Sequence, residues 1–116
     1  MKYKELLIPI YNYRVFVCVS TYAEAEKKLL DKFKVTSCLN ECAGMCLPLI
    51  LTKEDGSKYE SIFLWLGDTS HNTIAHEVFH VTSEILRSRS TKLNNNTEET
   101  YAYLCGYITE KIYEII

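Results

Sequence analysis

Apolar and polar residues recur with two different periods along this chain, and the periods predict an order of strands and helices. Short runs rich in β-branched and aromatic residues predict strands over residues 6–10, 14–19, 45–52 and 59–66. Longer segments with apolar residues three or four positions apart predict helices over residues 22–33, about 70–87 and 97–116. The expected fold class is α+β, a single domain over residues 1–116 with a small, twisted, mostly antiparallel sheet.

Turn residues refine this order. Tyr11–Tyr13 is expected to connect the first two strands as a hairpin or a bend, and Asp55 with Gly56 predicts a tight hairpin between the last two. Because proline cannot donate to a strand ladder, Pro9 and Pro48 favour edge positions or bulges. Ser20 and Thr21 offer a cap for the first helix.

Composition excludes several classes of partner. A net charge of −2 gives no basic surface for nucleic acid or an anionic membrane. The apolar runs are too short for a membrane span, and the first residues do not lead into a signal-peptide core. From these features we expect a cytoplasmic protein that binds neither nucleic acid nor membrane.

The chain has five cysteines, an odd number that argues against a closed disulfide framework. Three of them, Cys38, Cys42 and Cys46, are evenly spaced, which raises the alternative of a second metal site. Their spacing of three intervening residues differs from the knuckles usual for zinc, so we interpret them as free thiols.

The segment His76-Glu77-Val78-Phe79-His80 has the pattern H-E-x-x-H within a predicted helix. Side chains four apart share a helix face, so His76 and His80 could bind one metal ion. Glu77 would lie beside that face, where it could reach a metal-bound water. A chance occurrence would leave two surface or partly buried histidines. The apolar flanks instead predict an embedded helix, whose buried polar groups need partners, and a metal would meet that need.

A catalytic zinc site usually has three protein ligands. The extended pattern H-E-x-x-H-x-x-G-x-x-H is excluded, because Ser83 and Leu86 occupy the glycine and third-histidine positions. His71 lies about 140° round the helix from His76 and cannot share its face unless the helix starts later. The remaining candidates are acidic, at the start of the last predicted helix.

Of Glu98 and Glu99, the second is the better candidate for the third ligand. Glu99 shares a helix face with the small residues Ala102 and Gly106, which would let that helix approach the motif helix closely. Glu98 points partly to the side. The alternative for Glu99 is a capping box with Asn96 as the N-cap, in which both glutamates also suit the helix dipole.

The motif followed by Glu99-Thr100-Tyr101-Ala102 resembles the gluzincin branch of the zincin metallopeptidases, in which a glutamate on a second helix is the third zinc ligand. Residues 99–108, E-T-Y-A-Y-L-C-G-Y-I, are similar to small phage- or prophage-encoded proteins described as peptidases. The resemblance spans about residues 63–108. It implies a minimal zincin-like domain with an active-site helix and a C-terminal glutamate helix, in a bacterial or phage-infected cell.

The hypothesis that follows is a zinc metalloendopeptidase-like hydrolase. Zn²⁺ would be bound by His76, His80 and Glu99, and Glu77 would act as general base on the zinc-bound water. One alternative is a non-catalytic zinc-binding domain that acts in protein interaction or assembly. Another is an interaction protein without zinc, in which the motif arose by chance.

Two further expectations concern the substrate. Tyr101, Tyr103 or His71 could stabilise the oxyanion, and the sequence does not choose among them. The strand Tyr59–Leu66 directly precedes the motif and, as in zincins, would form a sheet edge to which an extended peptide or protein substrate adds by backbone hydrogen bonds. Its alternative interpretation is a half-buried core strand.

Overall fold

A four-stranded mixed sheet with three helices forms the part of the chain described by a computed structural model, residues 1–36 and 42–116. The elements are β1 (Lys2–Ile8), β2 (Tyr13–Val19), α1 (Tyr22–Phe33), β3 (Gly44–Thr52), β4 (Lys58–Leu66), α2 (His71–Ser88) and α3 (Glu98–Ile115). The predicted α+β class is therefore confirmed. Among the described residues, no helix combines the length and hydrophobicity that crossing a bilayer requires.

The strand order across the sheet is β1-β2-β4-β3. β1 pairs with β2 and β3 with β4 in antiparallel fashion, while β2 and β4 run parallel, so the sheet is mostly antiparallel as predicted. The expectation that Tyr59–Leu66 forms an edge is wrong. β4 is hydrogen-bonded on both sides and its residues 61–66 are all buried, as expected of a strand covered on both faces. In the described sheet the edges are β1 and β3.

The two faces of the sheet bury alternate side chains. Val15, Val17, Ile62 and Leu64 pack against α2 and α3, in a cluster that also includes Ile74, Val78, Val81, Ile85, Leu104, Ile108 and Ile112. On the other face, α1 covers a smaller cluster: Phe16, Cys18, Phe63 and Trp65 with Ala25 and Leu29. The sheet is thus the middle of three layers, with α1 on one face and both α2 and α3 on the other.

Both predicted hairpins are present, with one shift of boundary. β1 begins at Lys2 rather than at residue 6 and ends at Ile8, so Pro9 lies in the turn and not in the strand. Pairing with β2 along its whole length draws the charged start of β1 into the sheet. Between β3 and β4, Gly56 has a φ of 86°, a conformation that favours glycine, as the Asp55-Gly56 signal predicts.

The helix α1 has the predicted bounds and a complete capping box. The Thr21 hydroxyl accepts from the Glu24 backbone N–H, and the Glu24 carboxylate accepts from the Thr21 N–H. This reciprocal pairing satisfies donors that the first turn otherwise leaves open, so the start of α1 is encoded locally.

Candidate functional site

The first turn of α2 fixes where the motif helix begins. The Ser70 side chain accepts from the Thr73 N–H, and the Asp68 carboxylate accepts from the Ser70 N–H. Ser70 as N-cap agrees with the predicted start near Ser70 or His71. Burial of the stripe that contains Ile74, Val78, Val81 and Ile85 then sets the rotation of α2 on the sheet.

With this rotation, His76 and His80 face away from the core. The His76 side chain is 65% exposed and His80 is also exposed, whereas Glu77 is buried. The prediction of an embedded helix holds for the apolar stripe of α2 but is wrong for the two histidines. Each residue of a helix is turned by about 100° from the one before, and this places both histidines outside the stripe. Because both histidines reach solvent, burial does not require a metal partner for them.

The histidine pair nevertheless has the arrangement that the motif predicts. The two ring centroids are 4.9 Å apart, with the rings tilted by 71° to each other. The Glu77 Oε2 atom lies 4.0 Å from His76 Nε2. The structure therefore brings His76, Glu77 and His80 together on one side of α2.

Glu77 points away from solvent, toward β3. Its side chain is 8% exposed, and burial raises the pKa of its carboxyl, an effect that His76 and His80 partly oppose. A β-carbon built on Gly44 would lie 3.2 Å from the Glu77 Cγ atom, so Gly44 at the start of β3 makes room for this side chain. A buried carboxyl with a raised pKa is a common property of catalytic acids and bases.

A groove of about 290 Å³ separates the histidine pair from β3. Its lining residues are Gly44, Met45, Cys46 and Pro48 from β3, and His76, Glu77, His80, Glu84 and Arg87 from α2. At one end Arg87 donates to Glu84 at 3.2 Å. Burial, reinforced by the carboxylates of Glu77 and Glu84, raises the pKa of the Cys46 thiol to about 12, so this thiol is protonated at neutral pH.

Replacement of Gly44 by alanine tests how tightly β3 packs beside Glu77. The new β-carbon would lie 2.9 Å from the Trp65 carbonyl oxygen, a backbone atom that cannot turn aside. We expect Gly44→Ala to lower the free energy of unfolding by about 1–3 kcal/mol, measured by urea denaturation.

The control is Gly106→Ala. Position 106 is helical with open space around it, so the same change should stabilise the protein by up to about 1 kcal/mol. Equal effects at both positions would contradict the close packing at Gly44.

The structure does not bring Glu99 to the histidines. α3 packs through Tyr101, Leu104, Ile108 and Ile112. The face of Glu99 is exposed, and a β-carbon built on Gly106 would have no described atom within 4 Å. The expectation that the small-residue face approaches α2 is therefore wrong, because the larger apolar stripe buries more surface.

The position of α3 around α2 explains the separation. The Cys105 thiol lies 3.3 Å from the Thr82 hydroxyl, and the Tyr101 hydroxyl donates to the Thr91 carbonyl at 2.7 Å. Thr82 lies about 160° round the helix from His80, so α3 and the histidines are on opposite sides of α2. In the described parts of the chain, no group of three His, Cys, Asp or Glu side chains is arranged to hold a metal.

The capping alternative for Glu99 is also not realised. α3 begins at Glu98 with Thr97 as its N-cap, and no side chain of the described residues caps it. The Asn94 side chain instead accepts from the backbone N–H groups of Asn96 and Thr97. Glu98 and Glu99 remain in the first turn, where their charges suit the helix dipole.

The three oxyanion candidates lie outside the groove. Tyr101 is buried and bound to Thr91, and Tyr103 is 74% exposed on the far side of α3. The His71 ring contacts the Tyr113 hydroxyl at the other end of the helix pair. None of the three is among the groove-lining residues.

Two of the three evenly spaced cysteines, Cys42 and Cys46, lie among the described residues. Cys42 and Cys46 carry free thiols, as do Cys18 and Cys105. Cys42 is exposed, with its thiol 2.9 Å from the Gly44 carbonyl oxygen. The predictions for Cys38 lie outside the described residues.

Comparisons with protein-family models, with curated proteins and with solved structures found no match to this chain. The resemblance to gluzincins therefore rests on the motif and its surroundings alone.

The site also includes residues that sequence reasoning missed. Glu84 and Arg87 follow His80 at helical spacing and could have been found from periodicity, whereas Gly44, Cys46 and Pro48 reach the site only through the sheet.

The described residues bring together two of the ligands that a zinc site would need. Two imidazoles four residues apart at an open groove are ligands that zinc accepts, and Glu77 lies beside them. A third protein ligand is not among the described side chains near them. The donor set fits zinc at two positions and leaves the third without an assigned residue.

Proposed function

We propose that this chain is a zinc-dependent peptidase in which His76 and His80 bind the metal and Glu77 is the general base. The observation that carries the proposal is the buried Glu77 carboxyl next to an exposed histidine pair, at a groove whose opposite wall is a sheet edge. A bound zinc ion would supply Lewis-acid polarisation and acidify a water molecule. Glu77 would accept the proton of that water and later donate it to the leaving amine.

The free edge of β3 supports a peptide as the substrate. The Ala43 carbonyl accepts from the Gly67 N–H, and the Lys53 N–H donates to the Ser57 carbonyl, both at 2.7 Å. Odd-numbered residues of β3 therefore bond to β4, and even-numbered residues direct their backbone groups outward, because the two sets alternate in an antiparallel ladder.

The same even-numbered residues face the groove. The β-carbon position of Gly44 is close to Glu77, and Cys46 and Pro48 line the groove with it. An extended peptide that adds to this edge would run past Glu77 and the histidines. We therefore assign substrate docking to β3 in place of Tyr59–Leu66, with an extended peptide or protein segment as the occupant.

A non-catalytic zinc-binding domain is the second candidate. The observation that favours it is that none of the three oxyanion candidates lines the groove beside Glu77. Such a domain would bind zinc without hydrolysing peptides. The resemblance would place either function in the cytoplasm of a bacterial or phage-infected cell.

One experiment separates these candidates. The purified protein is dialysed against zinc, its metal content is measured, and it is incubated with a proteome-derived peptide library that is then analysed by mass spectrometry. We expect about one zinc ion per chain and cleavage that stops with 1,10-phenanthroline and returns with added zinc. Zinc without cleavage would favour the non-catalytic domain. Failure to bind zinc would overturn both.

A further inference from the structure

Pro48 interrupts the outward-facing backbone groups of β3. It is paired with Ile62 in the register and belongs to the even-numbered set. Its nitrogen therefore points to the free edge and not toward β4, which explains why the β3–β4 ladder continues past a proline. The outward set has five residues: Gly44, Cys46, Pro48, Ile50 and Thr52. All five have a carbonyl acceptor, but only the four other than Pro48 have an N–H donor.

We propose that Pro48 determines the register and the specificity of the peptide held at this edge. The proposal rests on the proposed function in that the occupant is an extended peptide. A strand added in either direction finds a donor at the Gly44 N–H and both a donor and an acceptor at Cys46, beside Glu77, while the Gly44 carbonyl already accepts from the Cys42 thiol. At Pro48 it finds an acceptor only, so one peptide carbonyl facing Pro48 has no backbone partner.

This missing donor has a consequence for what is recognised. An unpaired carbonyl is tolerated only where water reaches it, and Pro48 is exposed. The peptide residue facing Pro48 is held less by its backbone than its neighbours are. Its side chain faces the same groove, where Glu84 and Arg87 form the end wall. Backbone hydrogen bonds thus select an extended peptide near Glu77. For the peptide residue that faces Pro48, contacts of its side chain with the groove contribute more to recognition than its backbone does.

The test measures peptide binding without turnover, in the zinc-loaded Glu77→Gln protein. The probe is the blocked peptide acetyl-Lys-Thr-Val-Thr-Val-Thr-Lys-amide, and its dissociation constant is measured by NMR titration. We expect the peptide to slow hydrogen exchange at the Gly44 and Cys46 amides. Adding Pro48→Ala supplies one donor and should tighten binding about five-fold, the effect of one additional hydrogen bond. Pro9→Ala, at the only other proline, should leave binding unchanged.

A carbonyl scan of the probe provides a second measurement, in which the probes are compared with one another within each protein. Each peptide carbonyl is replaced in turn by a methylene group. Among the carbonyls directed to β3, one should tolerate the change in the protein with Pro48 and become sensitive in the Pro48→Ala variant. Thermal unfolding of each variant identifies any that fail to fold.

The outcomes distinguish this proposal from the proposed function. Suppose that the Gly44 and Cys46 amides are protected and Pro48→Ala binds more tightly, but the unmodified protein cleaves no peptide. The role of Pro48 would then be retained and the peptidase activity rejected. Unchanged or weaker binding by Pro48→Ala, or no protection at any outward amide of β3, would overturn the role of Pro48 even if the protein cleaves peptides.

Discussion

Glu77→Gln is expected to lower peptide hydrolysis by about 10²–10⁴-fold while zinc remains bound. The amide has the shape of the carboxylate but cannot accept the proton of the water. Because Glu77 is buried and packs beside Gly44, there is little room for another base to act in its place. The rate is measured on a peptide that the unmodified protein cleaves, with zinc content determined on the same sample.

The stability of the Glu77→Gln variant separates loss of a base from loss of structure. Burial raises the pKa of the Glu77 carboxyl, which means that the charged form is disfavoured in the folded protein without metal. A neutral amide removes this penalty, so the metal-free variant should be at least as stable at neutral pH. The matched control is Glu98→Gln, at an exposed position in the first turn of α3, which should retain full activity. Equal hydrolysis by the Glu77 variant would remove Glu77 as the base.

The second large effect concerns zinc affinity. His80→Ala is expected to weaken zinc binding by at least about 100-fold. Roughly 10–16 kcal/mol of binding free energy shared by four ligands is about 3 kcal/mol per ligand, and about 1.4 kcal/mol corresponds to a factor of ten. Because His80 is exposed, its loss should not destabilise the fold. Competition with a chromogenic chelator measures the dissociation constant.

Glu99→Ala is the matched comparison. α3 packs on the side of α2 away from the histidines and leaves Glu99 exposed, so zinc affinity should stay within about two-fold of the unmodified protein. The resemblance to gluzincins implies the opposite result. A loss as large as that of His80→Ala would show that α3 repacks when zinc binds, and that Glu99 completes the ligand set in that state.

Features that depend on neighbouring residues were predictable from the sequence. The Thr21–Glu24 capping box, the turn at Gly56 and the N-cap at Ser70 each involve residues within a few positions of one another, and each is present in the structure. The common face of His76 and His80 follows from the helical period in the same way. Local hydrogen-bond geometry is sufficient for all of these.

The sequence could not choose between two faces of α3, and this choice decides the candidate metal site. One face has Glu99 with Ala102 and Gly106, and the other has Leu104 and Ile108. Both have helical spacing. The face with Leu104 and Ile108 packs in the core because it buries more apolar surface, and Glu99 is therefore exposed to solvent.

By itself, the sequence determined the elements of this protein, their α+β order and the histidine–glutamate–histidine motif on one helix, because each depends on residues close in the chain. The tertiary structure decided which strand is the free edge, which wall faces Glu77 and where Glu99 lies. Those depend on the order of strands in the sheet and on which apolar faces pack together. These features depend on how much apolar surface is buried between segments that are distant in the chain. The periodicity of residues within one segment does not give that area.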